Sequence, residues 1–253
     1  MRFYSQQGED LFIYLHYINQ HRDDGIFLEL GACDGVRYSN TLFFQECLGF
    51  SGILIEPVKE MYDMLIKNRQ HCKCFNNAIS RQEEPCKLLI SRNGPVSGIK
   101  ANMTSKFIEQ WHKNSIERNI ETSKLSDILE STNTNYIDFL SLDVEGGELD
   151  VLNTINWNKV SIYIICIELD DHNKEKNEKC RELLRNNGFN LKMKLCINEF
   201  WINQTYFRRE LLFDESKRSK PFSGDMNDYG EHVFSEKHCK PIIEKEIINY
   251  VHK

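Results

Sequence analysis

The stretch that most constrains this chain is Gly25-Ile-Phe-Leu-Glu-Leu-Gly-Ala-Cys-Asp-Gly35, where a short apolar run closes on an acid and then breaks at two glycines. The run reads as a buried strand, Ile26 to Leu30, turning sharply into a helix. Gly31 and Gly35 lack a Cβ, so the backbone there can take positive φ and let a ligand approach closely. Glu29 falls near the strand end, beneath the place where such turns hold a cofactor.

The rest of the chain repeats the alternation. Leu11, Phe12, Leu15 and Ile18 recur at helical spacing before the first strand. A helix starting at Ser39-Asn40-Thr41 is stopped by Gly49, and a second strand, Gly52 to Ile55, ends in Glu56-Pro57, with the proline suited to the first turn of a helix running to about Arg69. Cys72 to Ser80 is expected to carry a third strand. The polar stretch from Arg81 to Glu121 reads as a loop-and-helix insertion, with its helix around Met103 to Arg118. A short helix over Ser123 to Glu130 follows, then a strand from Tyr136 to Leu142 that ends in Asp143-Val-Glu-Gly-Gly-Glu148. Val160 to Ile167 is a strand ending in Glu168, followed by a helix over Glu175 to Asn187. Phe189 to Cys196 and Phe200 to Phe207 form a closing antiparallel pair, turning at Asn198-Glu199.

Strands alternating with helices imply an α/β fold, a mostly parallel sheet covered on both faces. Ligands then bind at the carboxyl ends of the strands, near the switch in strand order. The strand-end acids Glu29, Glu56, Asp143 and Glu168 converge on that edge. We expect one domain over residues 1–212, carrying the insertion around 81–121, and a C-terminal extension or lid over 213–253 with a terminal helix from about Ile242 to Val251.

Composition removes some functions. With 32 Lys and Arg against 38 Asp and Glu, the net charge of −6 argues against a nucleic-acid partner. No apolar run is long enough to span a bilayer and no signal-like segment follows Met1, so a soluble protein is expected. Nine cysteines scattered through an α/β pattern point to free thiols in the cytoplasm or another reducing compartment. His71-Cys72-Lys73-Cys74 with Cys86 lacks the second paired spacing of a zinc site.

Glu56 is placed to accept both hydroxyls of a ribose, a role shared by nicotinamide dinucleotide and S-adenosylmethionine folds. The turn separates the two. A pyrophosphate needs G-x-G-x-x-G, whereas Gly31-Ala-Cys-Asp-Gly35 has no third close glycine and places Asp34 where it would repel phosphate. Carboxylates favour a sulfonium donor instead.

Ser5-Gln6 with Gly8-Glu9-Asp10, Glu29-Leu-Gly-Ala with Asp34-Gly35, Ser39-Asn40-Thr41, Gly52-Ile-Leu-Ile-Glu-Pro57, Asn77-Ala-Ile79 and Leu142-Asp-Val-Glu-Gly-Gly-Glu148 together resemble the successive blocks of the FkbM-type methyltransferases. Where that family more usually has an asparagine after Gly-Ala, this chain has Cys33. The resemblance implies a class I methyltransferase fold, Rossmann-like, with a seven-stranded mostly parallel sheet and an antiparallel last strand. It also implies S-adenosyl-L-methionine as donor and a hydroxyl acceptor, often on a sugar. By the same resemblance Glu29, Gly31 and Gly35 surround the methionine portion of the donor, Glu56 holds its ribose, and Ala78 and Ile79 lie beside adenine. Asp143 then reaches towards the methionine amino group or the reaction centre, with Asn40 and Thr41 adding polar contacts.

A sugar hydroxyl is a weak acid, so the site needs a base or a cation. Asp143, Glu145 and Glu168 are the candidates for catalysis, with His172 as a further base. Asp143 and Glu168 suit a divalent cation such as magnesium. Trp111, His112, Trp201, Asn203 and Tyr206 are the candidate acceptor contacts. The leading expectation is O-methylation of a sugar hydroxyl on a glycan or glycosylated small molecule. The alternatives are a lipid, natural-product or protein acceptor, or a non-catalytic binding module on the same fold.

Overall fold

The computed structural model describes residues 2–18, 25–82, 85–91 and 95–206. The predicted C-terminal lid and terminal helix lie outside them, as does Phe207 at the end of the last predicted strand.

Before the sheet, α1 (Glu9–Ile13) passes into a π turn over Tyr14–Ile18. The first half then runs β1 (Ile26–Leu30), α2 (Leu42–Leu48), β2 (Ser51–Ile55), α3 (Lys59–Asn68), β3 (Lys73–Phe75) and β4 (Ala78–Ile79). Next come β5 (Cys86–Ile90), β6 (Ser97–Ile99), α4 (Ser105–Trp111), β7 (Ile116–Ile120), β8 (Thr122–Ser123) and α5 (Leu125–Ser131). The second half runs β9 (Tyr136–Leu142), α6 (Glu148–Asn153), β10 (Ser161–Glu168), α7 (Lys174–Asn186), β11 (Asn190–Leu195) and β12 (Asn198–Ile202).

The main sheet has seven strands in the order β11-β12-β10-β9-β1-β2-β3. Neighbouring pairs from β10 to β3 are parallel, and β12, the last strand in sequence, is antiparallel to both β10 and β11. This is the seven-stranded, mostly parallel class I arrangement that the resemblance implied. The central strands Ile-Phe-Leu-Glu-Leu and Tyr-Ile-Asp-Phe-Leu-Ser-Leu are nearly continuously apolar because both faces are covered. Phe27, Leu54, Phe139, Ile164 and Phe200 pack into one cluster with residues of α1 and α2, while Leu28, Ile53, Leu140, Ile165 and Trp201 pack into a second with residues of α5 to α7. The chain leaves β1 outward to β2 and β3, then returns to the other side of β1 with β9. The crevice of the sheet therefore opens between the ends of β1 and β9.

Four expectations need correction. The strand expected over Cys72 to Ser80 splits in two. β3 is an edge of the main sheet, whereas β4 pairs with β8 in a separate two-stranded sheet. Asn76 lies at the break, where its Nδ2 donates to the carbonyls of Glu56 and Pro57 at 2.9 and 3.1 Å. The insertion is also more ordered than a loop and helix. β6-β5-β7 form an antiparallel sheet, and α4 ends at Trp111 well short of Arg118.

The last hairpin turns at Cys196-Ile197, where Cys196 has φ 55°, and Asn198 and Glu199 are strand residues. Both are committed inward. Asn198 Nδ2 donates to Glu9 Oε1 at 2.7 Å, and Glu199 receives Arg181 at 2.8 Å. Finally, Cys33, Cys47, Cys72, Cys74, Cys86, Cys166 and Cys180 form no disulfide, but Cys196 is disulfide-bonded, against the expectation of free thiols throughout. Among the described residues no helix is long and apolar enough to cross a membrane.

Candidate functional site

The turn after β1 is fixed by backbone geometry. Gly31 has φ 79°, and its N–H donates to the Ile55 carbonyl at 3.0 Å. A Cβ there would lie 1.9 Å from the Asp143 carbonyl oxygen. The glycine thus lets the ends of β1 and β9 touch, and what approaches it is protein backbone. Gly35, φ 81°, gives way in the same manner to Leu65 and Arg69 of the α3 region, at 2.6 and 2.7 Å from a notional Cβ. It does not line the cavity described below, contrary to its expected place beside a ligand.

Glu29 is buried and turned towards the chain that follows it. Its carboxylate accepts from Ser39 Oγ at 2.9 Å, the Asn40 N–H at 2.8 Å and Thr41 Oγ1 at 2.6 Å. Arg69, fully buried, approaches to 3.8 Å while donating to the Gly35 carbonyl, Ser39 Oγ and Thr41 Oγ1. Most of Glu29's acceptor capacity is spent on shaping the Gly35–Thr41 loop. Thr41 is part of that brace and does not reach the cavity, whereas Asn40 does, held by Nδ2 donation to Ser141 Oγ at 2.9 Å. Arg69 escaped sequence reasoning because an arginine at the end of an amphipathic helix reads as solvated.

Glu56, one residue past β2, presents a different carboxylate. Oε2 accepts the Cys33 N–H at 2.8 Å and Oε1 the Val58 N–H at 2.7 Å, so each oxygen keeps acceptor capacity. Burial raises its pKa to about 7. Asn77, Ala78 and Ile79 line the cavity close by in sequence to the Asn76 brace.

At the ends of β9 and β10, Asp143, Glu145 and Glu168 each offer a carboxylate oxygen within 4.8 Å of the others. Glu145 reaches this position through a left-handed backbone, φ 56°. Burial, then the neighbouring charge of Glu148, raises Asp143 to about 7. Burial and Asp143 push both Glu145 and Glu168 well above the usual carboxylate range. Asp143 Oδ1 is buried without a hydrogen-bond partner. Glu148 stands apart from the cluster: it accepts the Gly146 N–H at 3.0 Å and pairs with Lys176, closing the turn.

These groups share one cavity of about 570 Å³, within the common range for small-molecule sites. One wall was not anticipated, and the other comes from the insertion that carries Trp111. Gln6, Gln7 and Glu9 line it from the N-terminal segment, fastened by Asn198. The insertion supplies Ser97 to Ile99, Asn102, Phe107 and Trp111. Asp170 and His172 stand beside that wall, with Oδ2 to Nδ1 at 2.6 Å and the imidazole edge-on to Phe107 at 4.9 Å. Of the five residues predicted to touch an acceptor, only Trp111 lines the cavity. Trp201 is core, and Asn203 Nδ2 is tied to the Asn187 carbonyl.

Such an edge of strand-end acids over a backbone crevice agrees with a family match. The family model described as the methyltransferase FkbM domain matches residues 29–191, more than half of the chain. The chain belongs to the FkbM methyltransferase family. The match runs from the end of β1 to the start of β11, so it contains Glu29, Glu56 and the acid cluster, while Gln6 to Glu9 and Asn198 lie outside it.

Among solved structures, the chain is similar to the methyltransferase FkbM from Methylobacillus flagellatus, at 12% identity over 79% of this chain and 48% of that one, TM-score 0.47. It is also similar to M. capricolum TrmK in complex with S-adenosyl-homocysteine, at 8% identity over 91% and 80%, TM-score 0.41. Aeropyrum pernix fibrillarin with natively bound S-adenosyl-L-methionine is similar at 10% identity over 77% and 73%, TM-score 0.41. No curated protein matches the chain by sequence.

Proposed function

We propose that this FkbM domain is an S-adenosyl-L-methionine-dependent O-methyltransferase that acts on a sugar hydroxyl of a glycan or glycosylated small molecule. The observation that carries the donor half is Glu56. It is a buried strand-end carboxylate, oriented by one backbone N–H on each oxygen and still able to accept a diol. Asn77, Ala78 and Ile79 supply the neighbouring adenine wall, and the acid cluster favours a cationic ligand. The donor supplies an electrophilic methyl group on a sulfonium. The chain's part is to hold both reactants in line, an orientation effect that in well-aligned intramolecular reactions amounts to about 7–11 kcal/mol.

The acceptor half rests on Trp111. It is 49% exposed and lines the same cavity as Asp170 and Asp171, so one cavity holds an aromatic face and acceptors for hydroxyls. The hydroxyl proton is assigned to the acid cluster, with Glu145 foremost, or to His172 held by Asp170. Turnover should fall at least tenfold in Glu145→Gln or in His172→Gln while donor binding is kept. Unchanged turnover in both variants removes the assignment.

The same reading includes a divalent cation such as magnesium on Asp143 and Glu168, with Glu145 completing the set. The unpartnered Asp143 Oδ1 fits such a ligand. Metal-free protein in excess chelator should lose turnover and regain it with magnesium, and full activity in chelator removes the cation.

The whole reading is tested by incubating the protein with labelled S-adenosylmethionine and panels of sugars, lipids and peptides, with mass spectrometry locating the methyl group. Label on a sugar oxygen supports it, and label on a lipid or peptide replaces the acceptor class. Absence of any binding to S-adenosylmethionine by calorimetry favours a non-catalytic module.

A further inference from the structure

The cavity is walled by carboxylates from β1, β2, β9 and β10. Arg37 is the only arginine or lysine among the described residues that line it. Its guanidinium is almost unspent. Among the described residues it makes one hydrogen bond, Nη2 to Tyr38 Oη at 3.3 Å, lies 4.8 Å from the Tyr38 ring centre and forms no ion pair. A guanidinium carries five N–H donors in a fork that matches a carboxylate.

The backbone around it is firmly set. Asp34 Oδ1 accepts the N–H groups of Val36 and Arg37 at 2.9 and 2.8 Å, and Asn68 Nδ2 donates to the Asp34 carbonyl at 2.8 Å. Tyr38 then takes φ 61°, a left-handed conformation that costs a non-glycine residue about 1–2 kcal/mol. A held, strained turn that presents a free cation to an acidic cavity points to an anionic ligand group.

We propose that Arg37 binds the carboxylate of the donor's amino-acid end. The assignment rests on the donor reading above. That ligand brings two positive charges, which the acid cluster suits, and one carboxylate, which the same acids would repel. Arg37 answers that carboxylate. It belongs to the turn whose Cys33 N–H orients Glu56, so a single loop sets both the ribose acid and the carboxylate cation.

Calorimetry on the full chain separates this role from others. S-adenosylhomocysteine carries the carboxylate, and 5′-methylthioadenosine keeps the adenine, ribose and thioether without the amino-acid end. Arg37→Ala should weaken S-adenosylhomocysteine at least tenfold while changing 5′-methylthioadenosine less than twofold, and Arg37→Lys should restore part of the loss. An equal loss for both ligands in a folded variant marks a structural role and overturns the assignment. Unchanged S-adenosylhomocysteine affinity overturns it as well, and moves Arg37 to an anionic acceptor group. Wild-type protein that binds neither nucleoside overturns the donor reading and this assignment together.

Discussion

Glu29 and Glu56 stand near the ends of adjacent strands and have opposite duties. Glu56 was legible because Glu-Pro closes a buried apolar strand, and its geometry leaves acceptor capacity on both oxygens. Glu29 was equally legible as a strand-end acid, but sequence offers no sign that Ser39, Asn40, Thr41 and Arg69 fold back onto it. The predicted consequence is separable by measurement. Glu29→Gln leaves Arg69 buried opposite a neutral group and should destabilise the fold by about 3 kcal/mol, read by urea denaturation. Glu56→Gln turns an amide NH2 towards one of the two backbone N–H donors, so it should cost about 1–3 kcal/mol as well, and it is told apart from Glu29→Gln by weakening S-adenosylhomocysteine at least tenfold in calorimetry on folded protein. Gly31 and Gly35 were legible as positive-φ turn residues, but their crowding partners, the Asp143 carbonyl and the α3 side chains, come from distant sequence and are visible only in the fold.

Among the elements, the buried strands were the most legible, since a parallel sheet covered on both faces demands apolar runs bounded by breakers. The insertion was the least. β7 is exposed at nearly every position, so no period marks it as a strand, and it exists because β5 pairs with it across a long loop. α4 stops where His112 Nδ1 meets Ser115 Oγ at 2.7 Å, a local contact that composition does not announce. The insertion also carries Trp111, so its contribution should be kinetic rather than structural. Trp111→Ala is predicted to raise KM for the acceptor about tenfold, with donor affinity and thermal midpoint unchanged. Equal loss of donor affinity would place the indole elsewhere in the site.

For the whole molecule the governing feature is the number of acids placed in poor solvent. Burial raises Glu9 to about 7, Asp10 to about 6, and Glu56 and Asp143 to about 7, and it also pushes Glu145 and Glu168 well above the usual carboxylate range. Raised carboxyl pKa values mean that the folded state binds protons more tightly than the unfolded chain. Their contribution to stability is complete below the ordinary carboxylate pKa and is lost as pH rises through about 6–7. The thermal midpoint of the ligand-free protein should therefore fall between pH 5 and pH 8, by about 2–4 °C for each kcal/mol lost. S-adenosylmethionine, as a cation, should stabilise more at pH 8 than at pH 5. A midpoint that is flat or rises over this range would show that the acids are solvated or already neutralised by bound cations.

The cavity is assembled from two hydrogen-bonded sheets that share no strand: the main sheet supplies its floor, and β6-β5-β7 contributes part of its wall. An exposed Arg118–Glu60 fork at 2.8 Å ties β7 to α3. Among the described residues, floor and wall are thus separate hydrogen-bonded units joined by side-chain contacts. Exchanging the segment between β4 and β8 for that of another family member should transplant acceptor preference onto an unaltered donor platform, which makes this insertion the natural cassette for redirecting the enzyme to new substrates.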